Sequence, residues 1–570
     1  MKAVFSCTFP LVVLLYACTG PRSAVTLQIN PYEYTIKKKV TGTNGAVSSA
    51  HPLASEIGIA IMKQGGNAID AAIATQLALA VVYPAAGNIG GGGFTVIHLA
   101  NCKNLTIDYR EKAPATAHRD MYLDAAGNAQ TQLSQNGHLA AGVPGAVAGL
   151  FKCMPYAKLP FNKLIQPAIE LAEKGFVLTA SEARQLNRIQ EPLNKYNTVT
   201  PVFVKAAGWK TGDTLVQKDL ANTLKRIRDK GMAGFYEGET ARLIVEEMKR
   251  ARGIISYDDL KNYQAKDREP VVFDYKTYKV VTMPLPSSGG VLLPMMMHMI
   301  EDQPVKEYGF QSARAVQLMT EIERRAYADR AKFLGDADFY KVPVKKLTSK
   351  EYAAERMKDY NAQTAGSSQA TQAGVIPESE ETTHFSVYDK NGNAVSVTTT
   401  LNGSYGSRTV VGGAGFFLNN EMDDFSIKPG VPNLYGAVGG DANAIAPGKR
   451  MLSSMTPTIV LKDNKPFLVA GTPGGTTITT SVFQTLVNIL EFEMSAEDAV
   501  NKPKFHHQWL PDEVFVEPDF PQAVRQQLQQ MGYKVTQRGA IGQTEVIRIH
   551  ANGTIEAIAD KRGDDSAEGY

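Results

Sequence analysis

The chain has 570 residues, 44% of them hydrophobic, and a formal net charge of +3 from 60 basic and 57 acidic side chains. A sizeable core can form, and the near-balance of charge leaves no electrostatic footprint for nucleic acid. There is no C-x-x-C pair, zinc-ligand spacing or phosphate-cradling glycine–lysine loop, which sets zinc-ribbon, dithiol and P-loop chemistry aside.

Lys2 is followed by an apolar run from Ala3 to Ala17. The run is shorter than the roughly 20 residues that span a bilayer, and with its basic start it reads as a secretory signal over residues 1–17. It ends Leu15-Tyr16-Ala17-Cys18, similar to a bacterial lipobox, in which Cys18 becomes the acylated first residue. Ordinary signal cleavage is the alternative, because Tyr16 is bulky for its place. On either reading the chain is expected to be exported, periplasmic or envelope-attached. A single lipid on Cys18 would anchor it to a membrane only weakly without a second signal. No later stretch is long and apolar enough to span a membrane. Of the remaining cysteines, Cys102 and Cys153 either pair in an oxidising compartment or stay as free buried thiols.

From Pro52 to Tyr83 apolar residues recur at three and four, interrupted at Gly65-Gly66-Asn67, which predicts two helices. Gly87 to Gly93 is a glycine-rich bend. Phe94 to Leu99 and Leu105 to Tyr109 follow it as paired strands. The bend follows a helix rather than opening one, which argues against a phosphate loop. From about Pro144 to Tyr360 the chain reads as mostly helical, with examples at Phe161 to Lys174, Ser181 to Leu193 and Ala313 to Phe333. Asn361 to Glu381 is polar and nearly free of large apolar residues, so an exposed or mobile linker is expected. Thr382 to Tyr388 and Ala394 to Leu401 then alternate around Asp389-Lys390-Asn391-Gly392, a strong hairpin signal. Short strands and two helices, near Thr479 to Phe492 and Gln522 to Met531, complete the chain. Strands flanked by helices suggest a layered α/β sandwich rather than a bundle.

The junction at Thr382 carries chemistry if the bond after Glu381 is cut. Thr382 would then hold a free α-amine, of ordinary pKa near 8, beside its own hydroxyl, and such a pair is an activated nucleophile. A Thr-Thr start to a strand is by itself only a β-former.

Several ordered motifs resemble the γ-glutamyltransferase family over nearly the whole chain after the signal. They are Gly87 to Phe94, Asp108-Tyr109-Arg110-Glu111, Thr382-Thr383-His384, Val397 to Asn402, Asn419 to Phe425, Leu452 to Pro457 and Gly471 to Gly475. The resemblance implies a four-layer αββα sandwich of the N-terminal-nucleophile hydrolase type. It also implies self-cleavage between Glu381 and Thr382 into a large subunit (18–381) and a small one (382–570) that stay together as a heterodimer. The implied activity is transfer or hydrolysis of γ-glutamyl amides such as glutathione, with water or an amino acid or peptide as acceptor and no metal or organic cofactor.

Carried over residue by residue, the resemblance makes Thr382 the nucleophile and Thr400 its assistant, and gives Gly474 and Gly475 the oxyanion hole. Arg110, with Ser453 and Ser454, would bind the donor's α-carboxylate, since a guanidinium meets a carboxylate bidentately. Glu421 and Asp424, helped by Asn402, would take the ammonium. Matched position by position, the resemblance selects Asp424 and leaves Asp423 out; if the stretch is extended, the two neighbours could not both point into one pocket. Tyr435 lies in Pro429 to Arg450, which resembles the family's lid. His506 and His507 lack metal spacing and are assigned a structural role. The rivals are a glutaryl or poly-γ-glutamate acylase of the same superfamily and a lipid-anchored solute-binding protein without catalysis.

Overall fold

The computed structural model describes residues 29–369 and 382–570. The predicted signal segment, Cys18 and Glu381 therefore lie outside the described residues.

Two seven-stranded antiparallel sheets form the centre. In the first, Thr383–Asp389 lies between Gly45–Ser49 and Ala394–Thr400, and Ala394–Thr400 in turn pairs with Gly92–His98. The expected hairpin is present, with Thr383 opposite Thr399 and Tyr388 opposite Ala394. The second sheet runs, edge to edge, Lys39–Gly42, Ile555–Ile558, Glu545–Ile549, Lys465–Gly471, Thr458–Lys462, Tyr278–Thr282 and Val271–Tyr275.

Side-chain parity separates the layers. Phe385, Val387, Val395 and Val397 face Pro52–Lys63 and Ala68–Val82, the two helices expected on either side of Gly65-Gly66-Asn67. Asn67 caps the second of them through a reciprocal capping box with Asp70. On the other sheet, Val460, Leu468, Ala470 and Val546 pack with Gly289–Glu301, Ala313–Phe333 and Thr477–Leu490. Phe94, Val96, Val281, Ile459, Val469 and Ile547 fill the space between the sheets. The order is helix, sheet, sheet, helix, the four-layer αββα arrangement expected.

Three expectations need correction. The stretch read as mostly helical also contains Lys266–Arg268, Val271–Tyr275 and Tyr278–Thr282, the last two turning on Lys276 at φ 51° and alternating as strands do. The helix placed over Ser181 to Leu193 breaks at Ile189 into Ala180–Arg188 and Gln190–Tyr196. The first part of the expected loose linker is pinned: Ser368 is buried, its N–H donates to Asp512 at 2.7 Å, and its carbonyl accepts from Trp509 Nε1 at 3.2 Å. Cys102 is exposed, Cys153 is buried, and both are free thiols. Among the described residues no helix is long and apolar enough to cross a membrane.

Candidate active site

Thr382 immediately precedes Thr383–Asp389. Because Thr383 faces Thr399 across the ladder, one further step sets Thr382 opposite Thr400. Period-two alternation turns both side chains to the face shared by His384, Ser386, Ser396 and Thr398, toward the second sheet. Thr400 Oγ1 accepts the Asn402 N–H at 2.7 Å. Asn402 has φ +75°, a left-handed conformation that asparagine tolerates better than most residues, and this bends the chain out of the strand into the pocket wall. Its carbonyl accepts from the Tyr435 hydroxyl at 2.5 Å, and its Nδ2 donates to Asn420 O at 3.0 Å. The upstream glycine run is needed for close packing: a Cβ on Gly91 would lie 2.0 Å from Thr400 O.

Thr382, Thr400, Asn402, Arg110, Glu421, Asp424, Tyr435, Ser453, Ser454 and Gly475 line one narrow pocket between the sheet ends. Arg110 follows Asn104–Asp108 and is almost wholly buried. Its Nη1 donates to Glu421 and its Nη2 to Asp424, while Nε reaches Met451 O at 3.3 Å. Asp108 is occupied elsewhere, accepting from Arg268 at 3.0 Å and pairing with Arg450 at 3.2 Å. Glu111 stands 3.6 Å from Arg110 Nη1 with both carboxylate oxygens buried and unbonded.

One guanidinium thus faces two buried carboxyls, Glu111 and Glu421, and a partly buried third, Asp424. Burial, the largest effect, pushes Glu421 and Asp424 up and carries Glu111 to about 8, with Arg110 opposing.

Glu421–Asp424 is a 3-10 turn, not an extended stretch. Divergence of neighbours along an extended stretch therefore does not apply here. The same selection holds for another reason: residues three apart eclipse in a 3-10 helix, which brings Glu421 and Asp424 onto one face. Asp423 points away, accepting from Ser134 Oγ and from the Leu434 N–H at 2.6 Å.

Gly474 and Gly475 have φ +135° and +52°. Their turn is closed by the Thr477 N–H donating to Gly474 O at 2.9 Å and leads into Thr477–Leu490. Neither glycine N–H has a hydrogen-bond partner among the described residues. Free N–H groups at the start of a 14-residue helix favour a developing negative charge. Ser453 Oγ accepts from the Met455 N–H at 3.1 Å, and Ser454 Oγ accepts from Arg330 Nη2 at 3.1 Å. Two side chains from the stretch expected to be a lid, Asn433 and Tyr435, line the same pocket. Burial pushes the Tyr435 phenol well above its ordinary pKa, so it remains a donor, and Asn433 Nδ2 reaches Asp424 at 3.0 Å. Gln508 Nε2 holds Tyr435 O at 3.3 Å, and its Oε1 meets His506 Nε2 at 2.9 Å. His507 Nδ1 accepts the Trp509 N–H at 3.0 Å.

The sequence reading missed Arg330, Asn433, Met455, Thr476 and Ile478, which also line the pocket. Asn433 sits inside the predicted lid and could have been found there. Arg330 lies among seven other charged residues of one helix and carries no local signal.

Two facing antiparallel sheets between helices, with a threonine opening a central strand beside a glycine turn, define the N-terminal-nucleophile hydrolase class. Solved structures share this arrangement. A cephalosporin acylase from Bacillus halodurans superposes with a TM-score of 0.83 at 26% identity, covering 95% of this chain and 98% of that one. A gamma-glutamyltranspeptidase of Helicobacter pylori gives 0.55 at 46% identity, covering 56% and 92%. A family model described as gamma-glutamyltranspeptidase matches residues 54–570. The chain is 45% identical over 550 residues to a glutathione hydrolase proenzyme of Escherichia coli (strain K12), covering 95% of each chain. The chain belongs to the γ-glutamyltranspeptidase family.

Proposed function

We propose that this chain is a γ-glutamyltransferase and glutathione hydrolase made as a single precursor. The observation that carries the reading is the meeting, in one pocket, of Thr382, a buried cation, two acids and a glycine turn. A γ-glutamyl donor has a carboxylate and an ammonium at one end and its scissile amide at the other. Arg110 with Ser453 and Ser454 suits the carboxylate, and Glu421 and Asp424 with Asn402 suit the ammonium.

The Thr382 hydroxyl first attacks the Glu381 carbonyl. The C–N bond breaks, freeing the α-amine, and water hydrolyses the resulting ester. This leaves pieces 18–381 and 382–570 if export removes residues 1–17. The freed amine then takes the hydroxyl proton as Thr382 attacks the γ-amide. The oxyanion gathers at the Gly474 and Gly475 N–H groups, and the amine proton passes to the leaving nitrogen. Water or an amino acid or peptide amine releases the γ-glutamyl-enzyme, with the Tyr435 lid limiting access of water. Thr400 steadies Thr382 through both cycles.

A glutaryl or poly-γ-glutamate acylase is the nearest rival. A glutaryl group has no ammonium for Glu421 and Asp424, which favours the γ-glutamyl reading. Export to the periplasm or envelope, with a lipid on Cys18, belongs to the same proposal and rests on residues 1–18 alone.

Purified protein should run as two bands, the smaller beginning at Thr382, and should release p-nitroaniline from its γ-glutamyl amide. Thr382→Ala should run as one band and be inactive. A wild-type chain that stays whole defeats the reading.

A further inference from the structure

The helix Ala313–Phe333 brings a second guanidinium to the pocket. Arg330 is buried, its Nε donating to Ser288 Oγ at 3.2 Å and its Nη2 to Ser454 Oγ at 3.1 Å. Both partners are neutral hydroxyls. Among the described residues no carboxylate lies within ion-pairing distance of Arg330; Asp424 acts on it only from beyond contact, and desolvation outweighs that attraction and lowers its pKa. A buried cation without a counter-ion is costly unless something arrives to match it.

Arg110 is in the opposite position. Its guanidinium already donates to Glu421 and Asp424, with Glu111 close by. A donor carboxylate meeting Arg110 alone would approach a cation that two acids have largely matched. Ser454 joins the two halves of the pocket. Its oxygen accepts from Arg330, which leaves its own O–H to donate to an incoming acceptor, and a bond so polarised is strengthened.

We propose that Arg330 is the second cation of the α-carboxylate site, supplying the unmatched positive charge and holding Ser454 as the donor between itself and the substrate carboxylate. This rests on the γ-glutamyl reading and deepens it. Arg110 keeps the acids in place for the ammonium, and Arg330 makes the α-carboxylate a requirement. As a positioning residue that acts through Ser454, Arg330 should govern donor binding more than the chemical step.

The test uses the full-length, self-processed protein and γ-glutamyl-p-nitroanilide. Arg330→Met should raise KM about 10- to 100-fold, the loss of one charge-assisted contact, with kcat changed less than threefold. Arg330→Lys should restore part of the affinity, since charge returns without the fork. With 4-aminobutyryl-p-nitroanilide, which keeps the ammonium and lacks the carboxylate, the variants and wild type should be alike. A fall in kcat at unchanged KM, or an equal loss on both donors, would assign Arg330 to scaffolding and overturn the proposal. If Arg330→Met fails to fold or mature, Arg330→Lys carries the same comparison at smaller size, and an unchanged KM there overturns it too. Wild-type protein that leaves γ-glutamyl-p-nitroanilide intact removes the γ-glutamyl reading itself, whereas an active wild type with indifferent Arg330 variants removes only this inference.

Discussion

Gly475→Ala adds one methyl group against the Tyr435 ring. At φ +52° an L-residue pays about 1–2 kcal/mol for the left-handed conformation. The new Cβ would lie 2.4 Å from Tyr435 Cδ1 and 2.7 Å from Cε1, so the ring or the turn must give way. If the turn moves, its N–H leaves the position where the oxyanion forms, and losing one such donor costs about 10²–10³ in rate, or about 2.7–4 kcal/mol. The assay is kcat for release of p-nitroaniline from the γ-glutamyl amide, measured on the processed fraction. A loss of at least about 100-fold is expected. Tyr435→Ala in the same background separates the causes. It removes the clash and leaves the backbone strain, so most of the loss should persist. Gly475→Ala within threefold of wild type would refute the oxyanion role, whereas full rescue by the second substitution would trace the loss to the clash rather than to the backbone strain.

Three further outcomes follow from the geometry. Burial holds the His384 imidazole at about 3, whereas an unfolded histidine titrates near 6.5. His384 therefore contributes stability that is complete above about pH 6.5 and is lost as pH falls toward the folded value, about 2 kcal/mol between pH 6.5 and 5. Urea unfolding of His384→Gln should show a pH slope shallower by one proton, and equal slopes would contradict this. Tyr435→Phe removes the 2.5 Å bond to Asn402 O, worth about 0.5–1.5 kcal/mol. Protease nicking within residues 429–450 should quicken about 2- to 10-fold, and unchanged nicking would discount the bond as a latch. Thr400→Ala should slow appearance of the two bands by about tenfold or more, with Thr400→Ser largely normal. Cleavage at the wild-type rate would remove Thr400 from maturation.

The parts of the fold legible in the sequence are those written locally. The hairpin after Thr382 combines strict alternation with Asn391-Gly392, and the first helix pair carries its own break at Gly65-Gly66-Asn67. The strands Val271–Tyr275 and Tyr278–Thr282 were lost because helical segments surround them and only pairing with Thr458–Lys462 distinguishes them. Most pocket residues were recognised through motifs spread over more than 350 positions, not through any local pattern. Arg330 escaped both routes. Its helix carries Glu321, Glu323, Arg324, Arg325 and Asp329, which read as a solvated face. All of them are buried, because partners distant in sequence meet them: Gln484 for Glu323, Asp512 for Arg324 and Tyr533 for Glu321.

The topology also fixes what the proposed cut can do. In the first sheet, Gly45–Ser49 lies between Ser566–Gly569 and Thr383–Asp389, and Gly92–His98 pairs with Ala394–Thr400. In the second, Lys39–Gly42 pairs with Ile555–Ile558, and Tyr278–Thr282 with Thr458–Lys462. Strands from before and after residue 382 thus share both sheets, and separating the pieces would break five ladders along with the core between the sheets. Arg110 and Arg330 come from one side of the cut, and every other pocket residue from the other. The processed pieces should therefore co-elute on gel filtration at any dilution that preserves activity and separate only at the urea concentration that unfolds the sheets. Loss of the small piece on dilution, with the large piece still folded, would show that the sheets are not shared in this way.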